Sequence, residues 1–420
     1  MSFAIALSGL NAATTDLEVT GNNIANANTN GFKEARVEYA DVYANSLQDL
    51  SATASGRGVK VAAVAQQFSQ GSVDFTSNNL DLAINGEGFF VVEDRNGSRQ
   101  YTRAGAYSAD RDGYVVNTVG DRLQIYPPST GTDGVVRFST GEDSLSALQL
   151  PLVSNSPTAT TRVGSQLNLN ANSSQPLIAF DPAVRDPVSY NYSTSLTVYD
   201  SQGASHTGTM YFVKDVAPNE WSAYFQVDGI NATVGGAPFS TLTFGPNGAL
   251  TSPATGRIAL DPINVDTATT DVDDLTITWD LTDSTQFGAA FAVNELDQDG
   301  FSTGRLSGVD IDNEGVVFAR YTNGESSIMG KVAVAGFNNS QGLRSIGGTK
   351  WVETFASGTV RFGEAGSGSF GLMQSGALES SNVDIATELV DLIIAQRNFQ
   401  ANAKVISTSD QVTQAVINIR

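Results

Sequence analysis

The sequence predicts a mainly β protein with a terminal α-helix at each end, organised as nested domains. Three observations predict it. Near the N-terminus Phe3, Leu10, Leu17 and Ile24 recur at seven-residue spacing, and Leu7 fills an alternate position of the same stripe. Near the C-terminus Ile385, Leu392, Phe399 and Ile406 do the same, joined by Leu389 and, after a slip in register, by Val412, Val416 and Ile419. Between these two helices the chain breaks into short alternating apolar runs separated by Asn-Gly and Asp-Gly turn signals. A seven-residue apolar repeat makes a narrow seam that needs a partner helix. Two such seams at opposite ends can pair with each other, as an inner coiled-coil-like domain, and then with copies of the same chain. That pattern points to a subunit that polymerises rather than to an enzyme.

Taken in order, the first helix runs from about residue 2 into the asparagine-rich stretch 21–26 and stops at Thr29-Asn30-Gly31, residue types that tolerate left-handed backbone. Gly56-Arg57-Gly58 precedes strand-like alternation over 59–64. From residue 80 the pattern reads strand, turn, strand, turn, strand: 82–84, Asn85-Gly86, 89–92, Asn96-Gly97, then Tyr101. Asp112-Gly113 and the run 114–116 continue it, and Pro127-Pro128 marks its weakening. Residues 149–299 read as a separate β-sandwich or barrel, with strands at 195–199, 209–213 and 275–279. Hairpins resume after Asp299-Gly300 and end near Phe370. Ser380, Asn382 and Asp384 are the candidate caps of the final helix, with Glu388 in its first turns. This order implies a terminal helical domain (1–30 plus 381–420), a connecting segment (31–79 plus 371–380), a β-rich middle domain (80–148 plus 300–370) and an inserted outer β-domain (149–299).

Composition bounds the partners. At 420 residues the chain has room for about three domains of roughly 150 residues. Its net charge of −21 argues against nucleic acid or an anionic membrane, which require clustered Lys and Arg. Sixteen acidic and four basic residues fall within 149–299, a net of −12, which suits a solvent-facing domain. No stretch approaches the roughly 20 apolar residues of a membrane span, so no membrane insertion is expected. The N-terminus has no basic segment followed by an apolar run, so any export would proceed without a cleaved signal peptide. There is no cysteine, which fits a location outside the cytoplasm without deciding it.

Reactive sites are not evident. His206, the single histidine, lies in the turn-like stretch 202–207 and reads as an exposed turn residue; no Gly-x-Ser-x-Gly elbow accompanies it. One histidine and no cysteine leave no zinc site. Glu295, Asp297 and Asp299, and then Asp310, Asp312 and Glu314, are spaced like calcium loops, but Leu306 and Tyr321 stand where the twelfth-position carboxylate belongs. Asp271, Asp273 and Asp274 could flank a glycosidic bond, but in so acidic a domain a solvated face is the better reading. No catalytic residue, metal or cofactor is expected.

The end segments resemble the rod and hook axial proteins of the bacterial flagellum. The resemblance rests first on Ser8-Gly9-Leu10-x-Ala12 and on Asn22-Asn23-Ile24-Ala25-Asn26-x-x-Thr29-x-Gly31-Phe32-Lys33. It continues in Leu80-Asp81-x-Ala83-Ile84-x-Gly86-x-Gly88-Phe89-Phe90 with Tyr101-Thr102-Arg103-x-Gly105. It closes with Gly376-Ala377-Leu378-Glu379-x-Ser381-Asn382-Val383-Asp384 and Ala395-Gln396-Arg397-x-Phe399-Gln400-x-Asn402-Ala403. Three motifs in the right order cover roughly half the chain, and the inserted segment 149–299 makes it similar to the hook-type members. The resemblance implies a structural subunit of a flexible curved tube, a universal joint between motor-driven rod and filament. It implies location in the flagellar hook outside the cell, and export through the flagellar type III apparatus. The implied partners are further copies of the chain, the distal rod protein, the hook-filament junction protein and the hook cap protein. A bending tube needs pivots, for which Gly56, Gly58, Gly366 and Gly368 are candidates, with the domain crossings near 149 and 299. A distal-rod protein is the alternative within the family; a secreted β-rich adhesin or glycosidase is the alternative outside it.

Overall fold

The structure, a computed structural model, describes residues 2–42, 56–131, 135–265 and 272–418. The chain divides into two compact units, one of residues 1–152, 308–320 and 326–420, the other of residues 153–307 and 321–325.

In the first unit the helices are α1 (Ser2–Ala25) and α2 (Ile385–Asn418), which pack along each other. Neither contains proline, and the Thr14 and Thr15 hydroxyls return to the carbonyls of Leu10 and Asn11 at 3.0 and 3.2 Å, so these polar residues do not compete with the helix. Of the three candidate caps, Asp384 starts α2: its carboxylate accepts the N–H groups of Ala386 and Thr387 at 2.8 and 3.0 Å, satisfying donors that have no partner inside the helix. Asn382 instead accepts the Glu34 N–H at 2.8 Å and donates to the Gln67 carbonyl at 2.9 Å, tying the chain before α2 to the segment after α1.

After α1, strands Ala35–Asp41 and Val59–Gln66 form an antiparallel pair lying against it. Strand Val73–Phe75 then pairs with Ala377–Glu379, and Leu82–Asn85 with Leu372–Ser375. The latter differs from expectation. Asn85-Gly86 signals a hairpin to 89–92, yet Leu82–Asn85 pairs instead with a strand far along the chain, Leu372–Ser375. Gly86 (φ +122°) redirects the backbone, and a Cβ there would sit 2.9 Å from the Gly371 Cα, so the close approach of the returning chain requires glycine. The other hairpins form as read. Phe89–Glu93 turns through Asn96-Gly97 onto Arg99–Thr102, and Tyr107–Ala109 turns through Asp112-Gly113 onto Val115–Asn117. These strands join a large antiparallel sheet with Arg122–Tyr126, Ser326–Gly336 and Lys350–Val352. Phe89, Tyr101, Phe337 and Trp351 meet edge to face in its core, an arrangement that aromatic quadrupoles favour.

The second unit holds two sheets around one apolar core. One is built on Arg162–Asn170, flanked by Thr278–Asp280, Thr285–Phe287 and Ala292–Gln298. The other runs Tyr192–Tyr199, Ser205–Lys214, Glu220–Val227, Ser240–Phe244, Leu250–Ser252. Alternation selects the inward face: in Ser205–Lys214 the buried positions are Gly208, Met210, Phe212 and Lys214. Trp221 and Trp279 are fully buried, and their indole N–H groups donate to Gln286 (3.2 Å) and Ser165 (2.8 Å), so neither leaves a polar atom unpaired.

Candidate functional site

The strongest cluster of side chains lies in the first unit, where the chain leaves α1 and returns to α2. Lys33 Nζ donates to Glu379 Oε1 at 2.5 Å and to the Ser69 carbonyl at 2.7 Å. Arg103 Nη1 donates to Glu379 Oε2 at 3.2 Å, and its Nη2 to the Gly86 carbonyl at 2.8 Å. The Gly71 N–H is the third donor to the carboxylate, meeting Oε1 at 3.1 Å, and the Gly31 N–H donates to the Glu379 carbonyl at 2.7 Å. Lys33 and Glu379 side chains are 0% exposed and Arg103 is 6% exposed. Burial lowers the pKa of both Lys33 and Arg103, while the Glu379 carboxylate pulls each back towards the charged form. One carboxylate therefore holds two buried cations, and each of the three charges comes from a different sequence motif. The result is a clamp that fixes where three strands and the helix base meet.

The asparagine-rich motif serves the same junction. Asn23 is buried; it donates to the Ala35 carbonyl at 2.8 Å, accepts the Ala35 N–H at 3.0 Å, and donates to Glu388 at 3.0 Å. Asn26 donates to the Asn22 carbonyl at 2.9 Å and accepts the Thr29 hydroxyl at 3.2 Å, closing the helix end. Gly31 has φ +69°, and a Cβ there would strike the Ala104 backbone. Phe32 is half-buried and Asn22 exposed, both lining a surface groove of about 590 Å³ between the helix end and the strand Lys350–Val352. Lys33 was thus legible as a motif residue. Arg103 and Glu379 carry the other charges, and only their place in the motifs pointed to them.

The helix seam is arranged differently from a row of large buried side chains. Among the described residues Ala6, Ala12, Ala13 and Ala395 are the buried apolar positions of the pair, and Gly9 faces Asn402, whose amide a Cβ would meet at 2.7 Å. Small residues set the closest approach. Leu10, Leu17, Ile24, Leu392, Phe399 and Ile406 are half-buried beside them, whereas Phe3, Leu7, Ile385, Leu389 and Val412 are exposed in the single chain. The Val416 side chain and Ile419 lie outside the described residues. Val390, Ile393 and Ile394 are also exposed, so α2 carries an apolar stripe that α1 leaves uncovered.

Among the pivot candidates, a Cβ at Gly56 would meet none of the described residues within 4 Å. Gly58 (φ +116°) lies against Ser8 of α1, whose hydroxyl accepts the Val59 N–H at 3.2 Å. Gly366 and Gly368 (φ +74° and +61°) occupy the turn between Arg361–Glu364 and Leu372–Ser375, closed by Gly366 N–H to the Gly371 carbonyl at 3.0 Å.

In the second unit His206 is not an exposed turn residue. It opens strand Ser205–Lys214 with its side chain 14% exposed, Nδ1 2.7 Å from Asp228 and Nε2 3.3 Å from Asp200. The turns at 200–204 and 228–229 carry those carboxylates to it, which local sequence does not reveal. Burial opposes its charge, but the bonds to Asp228 and Asp200 outweigh burial and raise its pKa. Of the calcium-like carboxylates, Asp299 accepts the Thr161 and Arg162 N–H groups at 2.8 and 2.9 Å and Asp312 those of Glu314 and Val316 at 2.9 Å each, while Asp297 accepts from the Arg162 side chain at 2.8 Å and Asp310 from the Asn79 amide at 2.9 Å. Asp274 accepts the Asn264 amide at 2.9 Å and the Asp273 N–H donates to Ser201 at 3.3 Å; Asp271 lies outside the described residues. Among the described residues no group of three or more His, Cys, Asp or Glu could hold a metal ion, and no helix is long and apolar enough to cross a membrane.

Four family models match in chain order: the flagella basal body rod protein (residues 3–33), the flagellar hook protein FlgE/F/G D1 domain (83–164), the flagellar basal body protein FlaE D2 domain (168–301) and the flagellar basal body rod FlgEFG protein C-terminal region (374–419). The flagellar hook protein FlgE of Salmonella typhimurium is 40% identical over 422 residues, covering 100% of both chains. That of Escherichia coli is 38% identical over 423 residues, again covering 100% of both. That of Borreliella burgdorferi is 33% identical over 442 residues, covering 99% of this chain and 98% of its own. The crystal structure of Helicobacter pylori flagellar hook protein FlgE2 superposes with a TM-score of 0.52 at 17% identity, covering 73% of this chain and 100% of that one, a likeness of fold. With both terminal motifs, the inserted domain and whole-length identity to hook proteins of several bacteria, the chain belongs to the flagellar hook protein family.

Proposed function

We propose that this chain is a structural subunit of the bacterial flagellar hook, polymerising into a flexible curved tube that passes torque from rod to filament, with no enzymatic activity of its own. The whole-length match to hook proteins carries the reading, and the distal-rod, adhesin and glycosidase alternatives lack any comparable support. The uncovered stripe of α2 supports it physically. Ile385, Leu389 and Ile393 recur at four-residue spacing, and exposed apolar stripes of this length call for another helix. Copies of the chain supply that helix, so the seam residues of α1 and α2 close in the tube wall. A lone helix pair of this kind is marginal, and its completion on assembly disfavours premature polymers.

The remaining partners follow from the family: the distal rod protein below, the hook-filament junction protein above, the cap protein at the growing tip, and the flagellar type III apparatus for export without signal cleavage. The nested domains act as rigid bodies while subunit spacing changes during rotation, pivoting at the crossings between them and at Gly56 and Gly58. Complementation tests the function. Expressed in a strain lacking its hook protein, the chain should restore hooks visible by electron microscopy, and Ile393→Asp should abolish them while the monomer stays folded. Normal hooks from the variant would overturn the stripe's role, and rods without hooks from the wild type would overturn the assignment.

A further inference from the structure

Phe355 stands in water on a turn built to hold it there. The residue is 106% exposed, so its own chain leaves it uncovered. The turn beneath it is fixed. The Thr354 hydroxyl donates to the Gly342 carbonyl at 2.6 Å and accepts the Ala356 N–H at 3.1 Å. The Ser357 hydroxyl donates to the Thr354 carbonyl at 2.8 Å and accepts the Thr354 N–H at 3.0 Å, and the Asn339 amide donates to the Ala356 carbonyl at 3.0 Å. A single exposed apolar side chain is ordinary, but one carried on a hydrogen-bonded turn has already lost the backbone freedom that binding would cost. Rigid aromatic anchors of this kind dominate interface energetics.

The same unit contains a surface cavity of about 340 Å³. Gly88, Phe89, Gly336 and Phe337, all buried, form its inner wall, and Phe68 and Phe370, both half-buried, flank it. An apolar cavity of about 150 Å³ already holds a benzene ring, so a phenyl group has room here, and the ring edges and faces of this wall suit another ring. Of the cations in the cavity, Arg103 is held by Glu379. Arg361 instead reaches over Gly336 from the exposed rim, which it shares with Glu87 and Ser369, and it has no ion pair among the described residues. Glu353, two residues before Phe355, is likewise exposed and without an ion pair among the described residues.

We propose that the Phe355 turn of one copy of the chain seats its ring in the Phe89–Phe337 cavity of a second copy, with Glu353 reaching Arg361. The occupant is a second copy because the two surfaces complement each other twice, ring to aromatic wall and free acid to free cation. A knob and a cavity at different places on one chain make a head-to-tail contact, which propagates along a helix instead of closing a pair. The contact rests on the reading of the chain as a polymerising hook subunit. It adds to the helix stripes a second point of attachment, in the β-rich part of the unit.

Cross-linking in assembled hooks tests it, and the chain has no cysteine to interfere. Full-length Ala356→Cys and Ser369→Cys place thiols beside the knob and on the cavity rim without removing Phe355 or Arg361; both positions are exposed. They are expressed together in a strain lacking its hook protein, and the extracted hooks are treated with a short bismaleimide. Mixed hooks should give cross-linked dimers on a denaturing gel, each variant alone should give none, and both substitutions in one chain should give a ladder of multimers. Adding Phe355→Ala should lower the cross-linked yield by about tenfold or more, the change expected on losing one buried phenyl ring. Phe75→Ala, which removes another exposed ring of the same unit, should leave it unchanged. Glu353→Arg should weaken the cross-link and Arg361→Glu in the same chain should restore it. Assembled hooks without the mixed cross-link, a doubly substituted chain that stops at dimers, or a yield indifferent to Phe355→Ala would each overturn this contact alone. No hooks from the unsubstituted chain would overturn the proposed function as well.

Discussion

Glu379→Ala strikes the point where three motifs meet. Glu379 accepts from Lys33 at 2.5 Å, Gly71 at 3.1 Å and Arg103 at 3.2 Å, with its own side chain 0% exposed. Removing it strands one cation that is 0% exposed and another that is 6% exposed, and alanine offers neither of them an acceptor. Removing one partner of a buried ion pair typically costs about 3–5 kcal/mol. Two cations share this partner, so the upper part of that range applies, roughly 5 kcal/mol. Lys33→Met should cost less, about 3 kcal/mol at most, because Glu379 keeps Arg103 and the Gly71 N–H. The assay is native-state hydrogen exchange on the full-length monomer, comparing strands Leu82–Asn85 and Leu372–Ser375 with strand Ser205–Lys214 of the other unit as an internal reference. The first pair should lose protection by about three orders of magnitude or more, since each 1.4 kcal/mol is tenfold, while the reference is unchanged. A loss under about 1 kcal/mol, or an equal loss in both units, would refute the clamp.

Three further outcomes follow from the same geometry. Gly31→Ala forces a side chain into left-handed backbone against Ala104, and urea unfolding of the first unit should report a loss of about 1–3 kcal/mol; an unchanged midpoint would show that the turn can relax. The second unit should be most stable between the ordinary carboxylate range and about pH 6.5, where free histidine titrates. Below that window the contributions of Asp200 and Asp228, whose pKa values are lowered, are lost as pH falls through them; above it the His206 contribution is lost as pH rises through its raised value. Thermal unfolding followed by Trp221 and Trp279 fluorescence should show this, with His206→Asn removing the alkaline decline; a decline that persists in the variant assigns it elsewhere. Leu10→Asp or Phe399→Asp, each placing a charge at a half-buried position of the helix pair, should abolish tubes seen by electron microscopy while near-ultraviolet circular dichroism of both units stays native.

The parts of this fold that depend on local chemistry were legible. Seven-residue spacing located both helices, Asp384 was among the caps named, and Asn96-Gly97 and Asp112-Gly113 made the hairpins they signal. What could not be read locally is pairing between residues far apart in the chain. Leu82–Asn85 finds Leu372–Ser375 because Gly86 and Gly371 allow two backbones to touch, and the same Asn-Gly signal serves a hairpin or a chain redirection equally well. At His206 one carboxylate, Asp200, comes from the turn just before its strand and the other, Asp228, from the next strand's far end, and a histidine between small polar residues gives no sign of the second. The clamp was half legible. Lys33, Arg103 and Glu379 stood in three motifs, but nothing in their spacing says that one carboxylate serves both cations. At the helix pair, the large heptad residues dominate the apolar pattern, while the buried Ala6 and Ala13, themselves seven residues apart, and Ala395 and Gly9 let the helices approach and are too small to stand out from the many other small residues of these segments.

The claim that this chain builds the hook is tested most directly by immunogold electron microscopy of detergent-extracted flagella, using an antibody raised against residues 149–299. Label confined to the short curved segment between basal body and filament is the predicted result. Label on the rod, on the filament, or on no flagellar structure at all would contradict it.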